Sequence, residues 1–168
     1  MRLGKLEVNL EELQRFIVKA KKKGYAGSGE KIRLADGSKI FIFQEGNLHY
    51  ADNYSGSEQA PGFELVRWQN EKGPWIWLMS YSGGMNPRFF GDEDLSKETF
   101  EFLKKALSQV SIKNPFRGPP NYEIGDFSYA MNFVGDFKRF SGKEQILDKR
   151  LKTEVFSQNF NGGLAIPK

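Results

Sequence analysis

The chain contains a copy of itself, and nothing else in it limits the fold as tightly. Gly46-Asn47-Leu48-His49-Tyr50-Ala51-Asp52-Asn53-Tyr54-Ser55-Gly56, moved by 79 positions, falls on Gly125-Asp126-Phe127-Ser128-Tyr129-Ala130-Met131-Asn132-Phe133-Val134-Gly135 with five of eleven residues identical. Gly62-Phe63-Glu64-Leu65-Val66 then matches Gly142-Lys143-Glu144-Gln145-Ile146 at a shift of 80, and Tyr81-Ser82-Gly83-Gly84-Met85 matches Phe160-Asn161-Gly162-Gly163-Leu164 at 79 again. Three ordered matches with one compensated slip read as an internal duplication. The repeats are expected over about residues 9–85 and 95–164 of a single domain, 1–168.

Each repeat opens with a helical pattern. Asn9 can cap the first helix with Glu12 completing a capping box, Leu10, Leu13, Phe16, Ile17 and Ala20 form its apolar stripe, and Gly24 stops it. In the second, Asp94 or Ser96 is the expected cap, and Phe100, Leu103, Ala106, Leu107 and Val110 make the stripe. The remainder of each repeat is strand-like. Lys31–Leu34 and Lys39–Phe43 flank an Asp36-Gly37 hairpin signal, and no crossover helix separates the later strands, so the sheet is expected to be antiparallel. The expected fold is α+β: two tandem helix-plus-antiparallel-strands repeats related by a pseudo-twofold axis, with the helices on one face of the sheet.

Composition removes several chemistries. The chain has no cysteine, which excludes disulfides, iron–sulfur clusters, thiolate zinc sites and cysteine nucleophiles. Its start lacks the apolar stretch of a signal peptide and no window reaches the length needed to cross a bilayer, so a cytoplasmic location and no membrane partner are expected. A net charge of +4 is mildly basic. The basic groups, at Lys19 and Lys21–Lys23, at Lys104 and Lys105, and at Lys149, Arg150 and Lys152, read as solvated helix ends, helix faces and turns, which makes nucleic acid an unfavoured partner.

Further motifs sit on this frame: Tyr25-Ala26-Gly27 after the first helix, the Tyr50–Gly56 strand, Gly62–Val66, Pro74–Tyr81, Phe116-Arg117-Gly118-Pro119, Phe140–Ile146 and Phe160–Gly163. In these, over nearly its whole length, the chain resembles the uncharacterised prokaryotic family catalogued as domain of unknown function 5680. It departs where Ser80 stands at a position at which Asn is common in that family. The resemblance implies fold and boundaries but brings no activity. Some relatives carry this domain beside a helix-turn-helix DNA reader, for which these 168 residues leave no space, and that association implies a regulatory role.

Glu64 and Glu144 each share a strand face with an apolar residue, so each must be paired or hydrogen-bonded, and Arg117 is the candidate partner. Their duplication favours a structural role. Asp52 breaks the symmetry: its neighbours Tyr50 and Tyr54 recur as Tyr129 and Phe133, while Asp52 itself becomes Met131. A carboxylate added in one copy to an aromatic strand face suits a ligand pocket. Trp77 and the other strand aromatics are either core or pocket wall, and His49, the lone histidine, reads as solvated or hydrogen-bonded. The candidate ligand-binding set is therefore Tyr50, Asp52, Tyr54, Glu64, Trp77, Arg117, Tyr129 and Glu144, with no metal and no cofactor called for. The favoured reading is a non-catalytic module binding a small molecule or a protein partner, with a homodimer left open. The alternatives are a carboxylate-dependent enzyme and a weak nucleic-acid binder acting through its basic helix ends.

Overall fold

In the computed structural model, which describes residues 1–25 and 29–168, the chain begins with a small ribbon, β1 (Arg2–Leu3) and β2 (Leu6–Glu7), leading into helix α1 (Leu10–Lys23). The Asn9 side chain accepts from the backbone N–H groups of Glu11 and Glu12 at 3.0 and 3.3 Å, satisfying two of the donors a helix start leaves free. Gly24 ends the helix with an ordinary negative φ; a β-carbon there would lie 2.7 Å from the Phe41 ring, so lack of space rather than handedness calls for glycine. Ala26 and Gly27 of the Tyr25-Ala26-Gly27 motif lie outside the described residues.

β3 (Ile32–Arg33) and β4 (Lys39–Glu45) form the hairpin around Gly37, whose φ of +84° suits a residue without a side chain. β5 (Leu48–Tyr54), β6 (Gly62–Trp68) and β7 (Trp75–Met85) come next. Helix α2 (Glu93–Leu107) is capped by Asp92, which accepts from Leu95 N–H at 3.0 Å. The cap expected at Asp94 or Ser96 is thus two to four residues earlier: Gly91, at φ +85°, turns the chain there, and Ser96 instead donates to Glu58 at 3.0 Å. β8 (Asn121–Ile124), β9 (Phe127–Asp136), β10 (Arg139–Asp148) and β11 (Thr153–Leu164) complete the chain.

Nine strands form one antiparallel sheet in the order β3-β4-β5-β6-β7-β11-β10-β9-β8. The two long strands β7 and β11 meet at its centre, with Tyr81 opposite Phe160, Met79 opposite Gly162 and Gly83 opposite Gln158. Gly83 and Gly84 lie within this ladder, opposite Gln158 and Ser157. Both helices pack on the same sheet face, shown by the pairs Phe16–Phe43, Phe100–Phe156 and Phe102–Phe127 at 5.3–5.9 Å between ring centroids. The other face presents Ser80, Ser82, Asn159 and Asn161 outward. The fold is α+β with a large antiparallel sheet and two helices, and among the described residues no helix is long and apolar enough to cross a membrane.

Candidate ligand-binding cavity

Strand register brings the acidic residues together. Asp52 on β5 lies directly across from Glu64 on β6, and Glu144 on β10 sits between Met131 on β9 and Gln158 on β11. All of these point toward the helices, into the layer that also holds Tyr50, Tyr81 and Tyr129. Helix α1 contributes Lys21, four residues after Ile17 and eight after Leu13, so its stem runs inward along the apolar stripe. Arg117 enters from the loop before β8.

The result is a buried charge cluster. Lys21 Nζ lies 2.6 Å from Glu64 Oε2 and donates to the Phe116 carbonyl. Arg117 reaches both halves of the sheet: its guanidinium is 2.7 Å from Glu144 Oε1 and 3.8 Å from Glu64 Oε1, and it donates to Gln158 at 3.3 Å. The second Glu144 oxygen accepts from the Tyr129 hydroxyl at 2.7 Å, and that hydroxyl accepts from Gly118 N–H at 3.0 Å. Both Glu144 oxygens are therefore partnered, although none of its surface reaches solvent. Burial by itself would lower the Arg117 pKa, but Glu144 and Glu64 outweigh it and hold the guanidinium protonated.

Asp52 differs from its neighbours. It is 8% exposed, and its one hydrogen bond is accepted from the Tyr81 hydroxyl at 2.6 Å. No cation contacts it among the described residues. Burial, reinforced by the Glu64 carboxylate, raises its pKa from 3.8 to about 6. Burial lowers the Lys21 ammonium, with Glu64 pulling the other way. Burial likewise lifts the Tyr50, Tyr81 and Tyr129 phenols well above their usual value, with nearby carboxylates adding to it, so these hydroxyls stay neutral donors.

Beside this cluster lies a cavity of about 620 Å³ between the helices and the sheet. Asp52 and Glu64 are its acidic wall, Tyr50, Tyr54 and Tyr81 its strand-borne aromatics, and Phe100, Phe116 and Phe156 its apolar wall. Lys31, Lys39, Lys97 and Lys104 stand around it with Glu101. Of the eight candidate residues, Tyr50, Asp52, Tyr54, Glu64 and Arg117 line the cavity. Tyr129 and Glu144 sit behind Arg117 and hold it. Trp77 is fully buried between Phe137 and Phe140, with Lys21 Nζ 5.9 Å from its ring centroid, and is not part of the wall.

Three residues depart from their expected surroundings. Lys21 is not a solvated helix-end lysine but the partner of Glu64, a position its spacing from Leu13 and Ile17 encodes. His49 is only 6% exposed and its Nδ1 has no partner among the described residues; burial lowers its pKa. Tyr81, which the sequence left as either core or pocket wall, reaches Asp52 only because β6 places β7 two strands away in register, which no local signal carries.

A family model described as Domain of unknown function (DUF5680) matches residues 52–165, more than half of the chain. No curated protein and no solved structure matches it.

Proposed function

The chain belongs to the family described as Domain of unknown function (DUF5680), which carries no activity with it, and from its cavity we propose that it is a non-catalytic module that binds a small molecule. The observation that carries the reading is Asp52: a buried carboxylate without a cation among the described residues, set among aromatic side chains on the wall of a cavity large enough for a drug-sized ligand. Glu64, Glu144, Lys21 and Arg117 are engaged with one another, and the phenols are held neutral, which suits a fixed recognition surface better than acid–base turnover. The basic helix end is also split, since Lys21 turns inward and Lys19 pairs with Glu45, which weakens the nucleic-acid alternative.

The duplication belongs to this reading. Under a shift of 79, Tyr81 corresponds to Phe160, and these two pair with each other; Met79 with Gly162 and Gln158 with Gly83 are then the same pair seen twice. Asp52 opposite Glu64 and Met131 opposite Glu144 correspond in the same way. This register supports a pseudo-twofold axis through the β7–β11 seam, on which Glu144 with Arg117 is the structural half and Asp52 the ligand-facing half.

Native mass spectrometry of the freshly purified protein tests the proposal. The wild type should carry a non-covalent adduct that Asp52→Ala loses while its circular dichroism is unchanged. An adduct retained equally by Asp52→Ala, or none on the wild type, refutes it.

A further inference from the structure

The charged side chains that line the cavity sort by depth. Lys21, Arg117, Asp52 and Glu64 are buried, while Lys31, Lys97, Lys104 and Glu101 are exposed and Lys39 is half-buried. Six cations against three carboxylates leave the lining at +3, or +2 once Glu144 behind Arg117 is included. The excess lies at the outer end, where four lysines face one carboxylate, Glu101. Lys21 and Arg117 are engaged with Glu64 and Glu144. None of the four outer lysines is ion-paired among the described residues.

Two of these ammoniums converge on one ring. Lys39 stands directly opposite Tyr54 across the β4–β5 pair and Lys31 comes from just before β3; their Nζ atoms lie 5.7 and 5.5 Å from the Tyr54 ring centroid. Lys97 and Lys104, seven residues apart on one face of α2, approach the cavity from the helix. Like charges gathered at one opening repel, and an anion among them removes that repulsion. A cation would add to it, and a neutral ligand would leave it in place.

From the lysines the wall runs inward along β5. Tyr54, Asp52 and Tyr50 share one face of that strand, and Asp52 follows Tyr54 inward by about 7 Å. One Asp52 oxygen accepts from Tyr81, and the other makes no hydrogen bond among the described residues, so it is free to accept from a ligand N–H or O–H. Phe100, Phe116 and Phe156 supply the apolar surface between.

We propose that the cavity binds an organic anion with an apolar body: its acid group among Lys31, Lys39, Lys97 and Lys104, its body against the phenylalanines, and a hydrogen-bond donor on that body at Asp52. This rests on the small-molecule reading above and names the ligand class. The lysines select for charge at the opening, and Asp52 selects for a donor deeper in.

Four probes test this by calorimetry near pH 7.5. Indole-3-acetate, tryptophol and tryptamine share a ring system and differ in charge, and 1-naphthaleneacetate keeps the acid but lacks the ring N–H. Indole-3-acetate should bind at least about tenfold more tightly than each of the other three, a gap of one decade in Kd. Asp52→Ala should erase its advantage over 1-naphthaleneacetate and keep its advantage over tryptophol. Two double variants, Lys31→Gln with Lys39→Gln and Lys97→Gln with Lys104→Gln, should each weaken indole-3-acetate severalfold and leave tryptophol unchanged, a selective loss that damage to the fold cannot produce. Lys22→Gln with Lys105→Gln removes the same charge from exposed positions off the cavity and should change neither. Tryptophol or tryptamine binding as tightly as indole-3-acetate, or the off-cavity pair weakening it equally, overturns the anion assignment and leaves the small-molecule reading intact. Equal binding of 1-naphthaleneacetate to the wild type overturns the contact at Asp52. Failure of all four probes to bind at millimolar concentration overturns the ligand class, and the adduct measurement then decides the cavity separately.

Discussion

Asp52→Asn should make the protein more stable, and only above acidic pH. The folded chain holds Asp52 at a pKa of about 6 against an ordinary 3.8, so ionising it costs more in the folded state than in the unfolded one. At 1.36 kcal/mol per tenfold, that difference is worth about 3 kcal/mol. The sign comes from linkage: a carboxyl with a raised folded value binds its proton more tightly when folded, so the stability it contributes is full below about pH 4 and is lost as pH rises through 6. Asparagine is close in shape, its oxygen can still accept from Tyr81, and its amide can donate toward Glu64 across the strand pair. At about 2–4 °C per kcal/mol for a chain of this size, Asp52→Asn should melt roughly 6–12 °C above the wild type near pH 8 and level with it near pH 4. Scanning calorimetry of both proteins at the two pH values measures it. A variant that melts below the wild type at pH 8, or a gap that does not change with pH, refutes the argument that Asp52 is a destabilising charge kept for another purpose.

Glu144→Ala leaves Arg117 buried without its main counter-charge and should cost about 3–5 kcal/mol in urea unfolding; a loss under about 1 kcal/mol contradicts the pairing. Gly118→Ala puts a β-carbon 2.8 Å from the Tyr129 ring and should cost about 1–3 kcal/mol by the same assay, whereas a neutral result would mean that the ring can move aside.

Much of the fold was legible because it is written locally. Asn9, the stripe from Leu13 to Ala20 and the Asp36-Gly37 turn each act within a few residues of themselves. Burial of Glu64 and Glu144 could be read too, since a carboxylate sharing a face with valine or isoleucine has few other fates. The site was harder, because it depends on register and on how a helix is rotated against the sheet. Asp52 meets Tyr81 across two strand pairings, and Lys21 meets Glu64 only once α1 has docked. The helical spacing of Lys21 from Ile17 was present in the sequence, yet three neighbouring lysines made it look like one more charge at a helix end. Trp77 and His49 show the same limit: alternation gives a face, but not whether other side chains cover it.

The seam between β7 and β11 also shapes how the molecule must assemble. It joins Trp77–Met85 to Phe156–Leu164, so the centre of the sheet closes through one of the longest-range pairings in the chain. Contacts so distant in sequence form late and slowly, because the intervening loop must be ordered before they repay its entropy. While the ribosome is still extending the chain, β7 is the open edge of a half-made sheet, with Trp77, Met79 and Tyr81 uncovered on one side. An unpaired edge of that length invites pairing with the wrong strand, including the β7 of another nascent copy. The strand that closes the sheet is therefore the one that guards the first half against aggregation, and damage to β11 should appear as insoluble protein before it appears as lost binding.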